Sequence, residues 1–105
     1  MLKNLVFVFL ILVISNTNSF PQNTPDNYQA DTAYVNRLID KCTDLLFYYP
    51  DSASLFVDTI LKVSAQINYE YGLYKAHNLS GYIHGIVGNQ NEALNSYKKA
   101  LIHTY

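Results

Sequence analysis

From Tyr34 to Leu101 the apolar residues fall at steps of three and four, and no stretch after Phe20 alternates apolar and polar at a step of two. Such spacing puts the apolar side chains on one stripe of an α-helix and leaves no pattern for a half-buried strand. Four stripes follow one another. The first is Tyr34, Val35, Leu38, Ile39, Cys42, Leu45, Leu46 and Tyr49. Asp31 or Thr32 can cap its start, and Pro50 is placed to end it. The second opens at Asp51-Ser52 and carries Ala53, Phe56, Val57, Ile60, Leu61, Ser64 and Ile67. Leu55 and Val63 make it apolar on a second side, as in a helix packed between neighbours. Asn68 to Gly72 should break or loosen the chain there. The third stripe is Leu73, Ala76, His77, Ser80, Ile83, His84 and Val87, stopped by Gly88-Asn89. The fourth starts near Glu92 with Ala93, Leu94, Tyr97, Ala100 and Leu101 in step. The pattern predicts an all-α fold whose helices, joined by short turns, are antiparallel neighbours.

Moved forward by 40 residues, the second stripe falls on the fourth: Ala53 on Ala93, Val57 on Tyr97, Ile60 on Ala100, Leu61 on Leu101. Two hairpins, about residues 31–68 and 73–105, therefore repeat one pattern, which marks a helical repeat array. The second hairpin resembles one tetratricopeptide repeat. The likeness rests on Gly81, Gly88, Ala93, Tyr97 and Ala100, with Leu94 and Leu101. In that family a small residue lies midway along the first helix, a glycine ends it, and Ala-x3-aromatic-x2-Ala marks the second helix. Small residues at Gly81, Ala93 and Ala100 would let helix axes approach closely, with Tyr97 filling the hole between them. The resemblance implies antiparallel helical hairpins stacked as a short right-handed solenoid, a scaffold that binds a protein or peptide and is not an enzyme. Three features depart from the family. His77, Ser80 and His84 stand where it prefers large apolar or aromatic residues. The residue that the 40-residue shift aligns with Gly81 is Lys41. The period of 40 exceeds the usual period of about 34, implying longer helices or a looser turn at Asn68 to Gly72.

The N-terminus reads as a secretory signal peptide over residues 1–19. Lys3 gives one positive charge, Leu5 to Ile14 is a ten-residue apolar run, and a small polar stretch ending at Ser19 follows. The run is too short to span a bilayer, which takes roughly 20 apolar residues. An uncleaved anchor is the rival reading. Residues 20–30, with Pro21 and Pro25 among polar residues, read as an extended linker. An exported chain, periplasmic or membrane-associated or released outside the cell, is the expectation. The order of signal, linker and repeats also resembles the exported sensory regions of bacterial receptors, whose output is a histidine kinase or a helix-turn-helix domain beyond a membrane span. That resemblance implies a larger parent protein in which the repeats continue. A stand-alone secreted helical protein, oligomeric to cover Tyr97 and Leu101, is the other alternative.

No chemical motif competes with these readings. Charged residues make up 14% of the chain and no Lys/Arg run exists, so a nucleic-acid footprint is missing. The only thiol, Cys42, lies on the apolar stripe of the first helix and reads as core packing. His77 and His84 are seven apart with no further ligand at i+3 or i+4, which does not make a zinc set. Asp40 and Asp44 share a polar face that reads as solvated, and Asn78-Leu79-Ser80 matches a glycosylation sequon in mid-helix. No catalytic residue, cofactor or metal is expected. By the family's groove positions, the partner-binding candidates are Lys75, Asn78 and Tyr82, with Asn36, Asp40 and Thr43 beside them by face alone. Tyr offers contact area with a hydroxyl, and Asn can bridge a peptide backbone. The basic clamp with which some family members hold a C-terminal carboxylate is missing, because Lys75 stands alone.

Overall fold

The computed structural model describes residues 25–104. Helix α1 spans Pro25–Leu45, α2 Pro50–Gln66, α3 Glu70–Ile86 and α4 Gln90–Ile102, and the described residues contain no strand. The signal-peptide reading, the first half of the linker and Tyr105 lie outside the described residues. Among these residues no helix is long and apolar enough to cross a membrane.

The linker reading does not hold for residues 25–30, which are the first turns of α1. Pro25 opens the helix because the first helical position needs no N–H donor. Asp31 and Thr32 therefore sit inside the helix, and the Thr32 hydroxyl donates to the Gln29 carbonyl at 3.0 Å. Pro50 likewise starts α2 rather than merely ending α1, which has closed at Leu45. Tyr49 is the N-cap of α2, and no side chain caps that end, so Asp51 and Ser52 do not serve as expected.

The two later turns are built alike, twenty residues apart. At the end of α2 the Tyr69 amide donates to the Ser64 carbonyl at 2.8 Å, and the Asn68 amide to that of Ala65 at 3.4 Å. At the end of α3 the Asn89 amide donates to His84 at 2.8 Å, and Gly88 to Gly85 at 3.2 Å. Each is a Schellman motif, which needs a left-handed residue at its turn. Asn68 at φ 55° and Gly88 at φ 85° supply it. Tyr69 and Asn89 then cap the next helix at once. The long period thus comes from 17-residue helices α2 and α3, while the turn at residues 67–69 is tight and Gly72 lies within α3.

Packing proceeds stepwise: α1 on α2, α2 on α3, α3 on α4, with α1 also touching α3 and α4 touching neither α1 nor α2. One apolar cluster joins Val35, Leu38, Ile39, Cys42 and Leu46 of α1, Ala53, Val57 and Ile60 of α2, and Ala76, Leu79 and Ile83 of α3. No residue of α4 belongs to it among those described. Small residues join α4 to α3 instead. A Cβ at Gly81 would fall 2.5–2.7 Å from the Tyr97 ring, and Ala93, Ser96 and Ala100 are buried. On α1 the residue facing α2 is Cys42, whose Sγ lies 3.4 Å from the Ala53 carbonyl, while Lys41 is exposed. The 40-residue register holds for α2 and α4 and slips by one on this face of α1.

Two of the four glycines separate packing from propensity. A Cβ on Gly72 would collide with Ser64 of α2, whereas one on Gly85 would meet nothing within 4 Å. Overpacking costs roughly 1–3 kcal/mol, more than the helix gains from alanine. Gly72→Ala should therefore lower the urea unfolding midpoint, while Gly85→Ala should raise stability by about 0.5–1 kcal/mol. Burial pushes the Cys42 thiol up to about 11. Alkylation of Cys42 at pH 8 should therefore be slow in the folded chain and should track unfolding across a urea series.

Candidate functional site

On α3 the residues Tyr71, Lys75, Asn78, Tyr82 and Ile86 stand four, three, four and four apart, so they share one stripe. It is neither the stripe of Gly72, Ala76, Leu79 and Ile83, which is buried against the first hairpin, nor that of Gly81, which meets α4. Lys75 and Asn78 are half-buried and Tyr82 is exposed. The Tyr82 ring stands edge-on to Tyr97, with centroids 6.0 Å apart, so its upper end is braced by α4. Burial, with the neighbouring Tyr82 adding to it, holds the Tyr97 phenol above its ordinary range. Tyr97 is therefore a neutral packing group at physiological pH.

Asn36 and Asp40 are exposed on α1. Asn36 is already engaged, since its Oδ1 accepts a hydrogen bond from the Tyr69 hydroxyl at 2.9 Å. That bond ties α1 to the start of α3, and among the described residues the Asn36 amide N–H groups have no acceptor. Tyr28 lies edge-on to Tyr69 at 6.4 Å and Tyr71 is tilted against it at 5.9 Å. Tyr69 thus anchors an aromatic run from the α1 face to the foot of α3. Asp40 has no hydrogen bond or ion pair among the described contacts.

A second group gathers at the lower end of the α3–α4 hairpin. The His103 ring stacks on His77 at 5.7 Å and 8°, and its Nδ1 lies 2.6 Å from Glu70 Oε2. A pair this exposed on the carboxylate side is worth roughly 0–1 kcal/mol. Glu70, Tyr71, Tyr74, His103 and Thr104 line an open cavity of about 320 Å³. Sequence reasoning missed it because its members lie at the first turn of α3 and past the end of α4. Only the antiparallel pairing of α3 with α4 brings them together. His84 is half-buried without joining this group, and Ser80, higher up, meets Ser96 across the helix pair at 3.1 Å. Among the described residues no three His, Cys, Asp or Glu side chains converge as a metal set.

No protein-family model, curated protein or solved structure matches the chain.

The His77 imidazole is held below its ordinary range by burial, and positive charge at His103 and Lys99 pushes the same way. As pH falls through about 6.5, the unfolded chain takes up a proton there that the folded chain does not. This group's contribution is complete above that pH and is lost as pH falls toward its lowered folded value. The urea midpoint of the wild type should drop between pH 7.5 and 5.5, and His77→Phe should drop less over the same interval.

Proposed function

We propose that the chain is a non-catalytic helical-repeat scaffold that binds a protein or peptide along the open faces of α1 and α3, as the exported part of a larger protein. The observation that carries this reading is the α3 stripe of Lys75, Asn78 and Tyr82. It is the one stripe of this helix that keeps access to solvent, Tyr82 exposed and Lys75 and Asn78 half-buried, while the faces of Ala76 and Gly81 are packed against the first hairpin and α4. A stripe of one ammonium, one amide and a braced phenol suits an extended backbone, which offers carbonyl acceptors and N–H donors in alternation. The Asn36 amide and the Asp40 carboxylate add donors and a negative charge on the neighbouring helix. The stepwise packing and the paired Schellman turns support a tetratricopeptide-like right-handed solenoid, because each added hairpin then meets its predecessor in the same way. The apolar run at Leu5 to Ile14 supports export.

The test is a quantitative capture experiment on the full chain. A Lys75→Ala, Asn78→Ala, Tyr82→Ala triple variant should keep the wild-type circular dichroism and lose the proteins that the wild type retains. Lys62→Ala, an exposed change on α2, should retain them. Equal retention by the triple variant would remove the stripe from the binding surface and sink the reading.

A further inference from the structure

We propose that the edge of the array formed by the α1–α2 and α3–α4 turns docks on a lipid bilayer. Phe47, Tyr48 and Tyr49 of the one turn and Ile86 and Val87 of the other enter the boundary between headgroups and acyl chains. Short connections make successive helices antiparallel, so these two turns lie at one end of the array and the turn at residues 67–69 at the other. All five side chains are exposed, and Tyr48, at 82%, is the most exposed large hydrophobic residue among those described. Stacking of further hairpins does not cover them. In a repeat array each unit packs on the flank of the last, and the turns stay along the edge however many units follow.

The chemistry of this edge suits lipid rather than protein. Residues 45–50 and 85–91 contain no charged side chain, so no ion has to leave water when the turns enter the boundary. The backbone asks for little from outside. The Tyr49 amide donates to the Leu45 carbonyl at 2.8 Å, Val87 to Ile83 at 3.1 Å, Gly88 to Gly85 at 3.2 Å and Asn89 to His84 at 2.8 Å. A protein could pair with open amides but acyl chains cannot, and these amides are already paired. Tyrosine belongs at this depth, its ring among the chains and its hydroxyl among the headgroups. The charged residues that flank the two turns in sequence, Asp44, Asp51 and Glu92, are all acidic, so the attraction is apolar and favours a zwitterionic surface over an anionic one. The apolar run at Leu5 to Ile14 gives the same chain a second contact with a bilayer. Residues 15–24 reach at most about 33–36 Å, and the 21 residues of α1 rise about 31 Å. A chain held at its apolar run can therefore still bring the far turn of α1 to that surface.

The chain has no tryptophan, so Tyr48→Trp puts a single reporter in the first turn. The full chain with this change is mixed with phosphatidylcholine vesicles whose acyl chains carry bromine. Its emission should move to shorter wavelength and be quenched. Lys62→Trp, exposed near the opposite end of α2, should show neither, even where Leu5 to Ile14 holds the chain on the vesicle. The reporter position thus reads the turn edge apart from the apolar run. Val87→Asp, and separately Phe47→Ser with Tyr49→Ser, should each lower the ratio of docked to undocked reporter roughly tenfold or more, the scale of one buried aromatic, read from the quenched fraction at saturating lipid. These changes fall on exposed positions and should keep the urea midpoint of the Tyr48→Trp chain. Replacing part of the lipid by phosphatidylglycerol should leave the quenching unchanged or reduce it. Absence of quenching at Tyr48→Trp overturns the proposal, and so does equal quenching at Lys62→Trp. Quenching that requires phosphatidylglycerol, or that survives both sets of changes, also overturns it. So does a shift of the Tyr48→Trp emission that appears without vesicles as the protein is concentrated, because a second copy then covers this edge.

Discussion

Helix α3 meets α2 at a point where neither has room for a larger side chain, Gly72 lying over Ser64. The approach has a polar cost, because the Ser64 hydroxyl is buried there without a hydrogen-bond partner. What offsets it is the apolar cluster that the approach closes, in which Ala76, Leu79 and Ile83 seal the side chains of α1 and α2. It also sets Tyr69 beneath α1, where its hydroxyl finds Asn36. Since α4 touches only α3, its placement follows from this same seat.

The character of the contacts changes along the array. The first three helices share branched and aliphatic side chains, whose burial is worth roughly 1.5–3 kcal/mol each. Between α3 and α4 the buried groups are Ala93, Ser96 and Ala100, with a serine pair and a histidine stack in support. Small groups remove less apolar surface from water, so α4 draws less stability from its interface than α2 does. Local opening should begin at that end of the molecule.

Much of this organisation was legible in the sequence. The steps of three and four located all four helices, and the Ala53/Ala93 and Ile60/Ala100 correspondences hold in burial. Gly88 announced its turn, while the equivalent turn at Asn68 was read only as a loosening, because asparagine is a weaker sign of left-handed backbone than glycine. The prolines misled in one direction: Pro25 and Pro50 suggested linker and terminator, and both turned out to open helices. Of the candidate site, the Lys75–Asn78–Tyr82 stripe follows from helical spacing alone. The bond from Tyr69 to Asn36 and the Glu70–His103 pair do not, since each joins residues 33 apart through tertiary packing.

The connections leave the chain no slack. The second and third turns hold three residues each, and the last residue of each turn is already the cap of the next helix. A single inserted or deleted residue cannot be absorbed as a bulging loop. Within a helix it would rotate everything downstream by about 100°, turning the face that should meet its neighbour toward water. The first turn holds four residues, and there alone the register differs, with Cys42 buried where Lys41 was due. Length variation in such a chain is therefore quantised: it can change at its ends or by whole helical hairpins, and hardly at all in between.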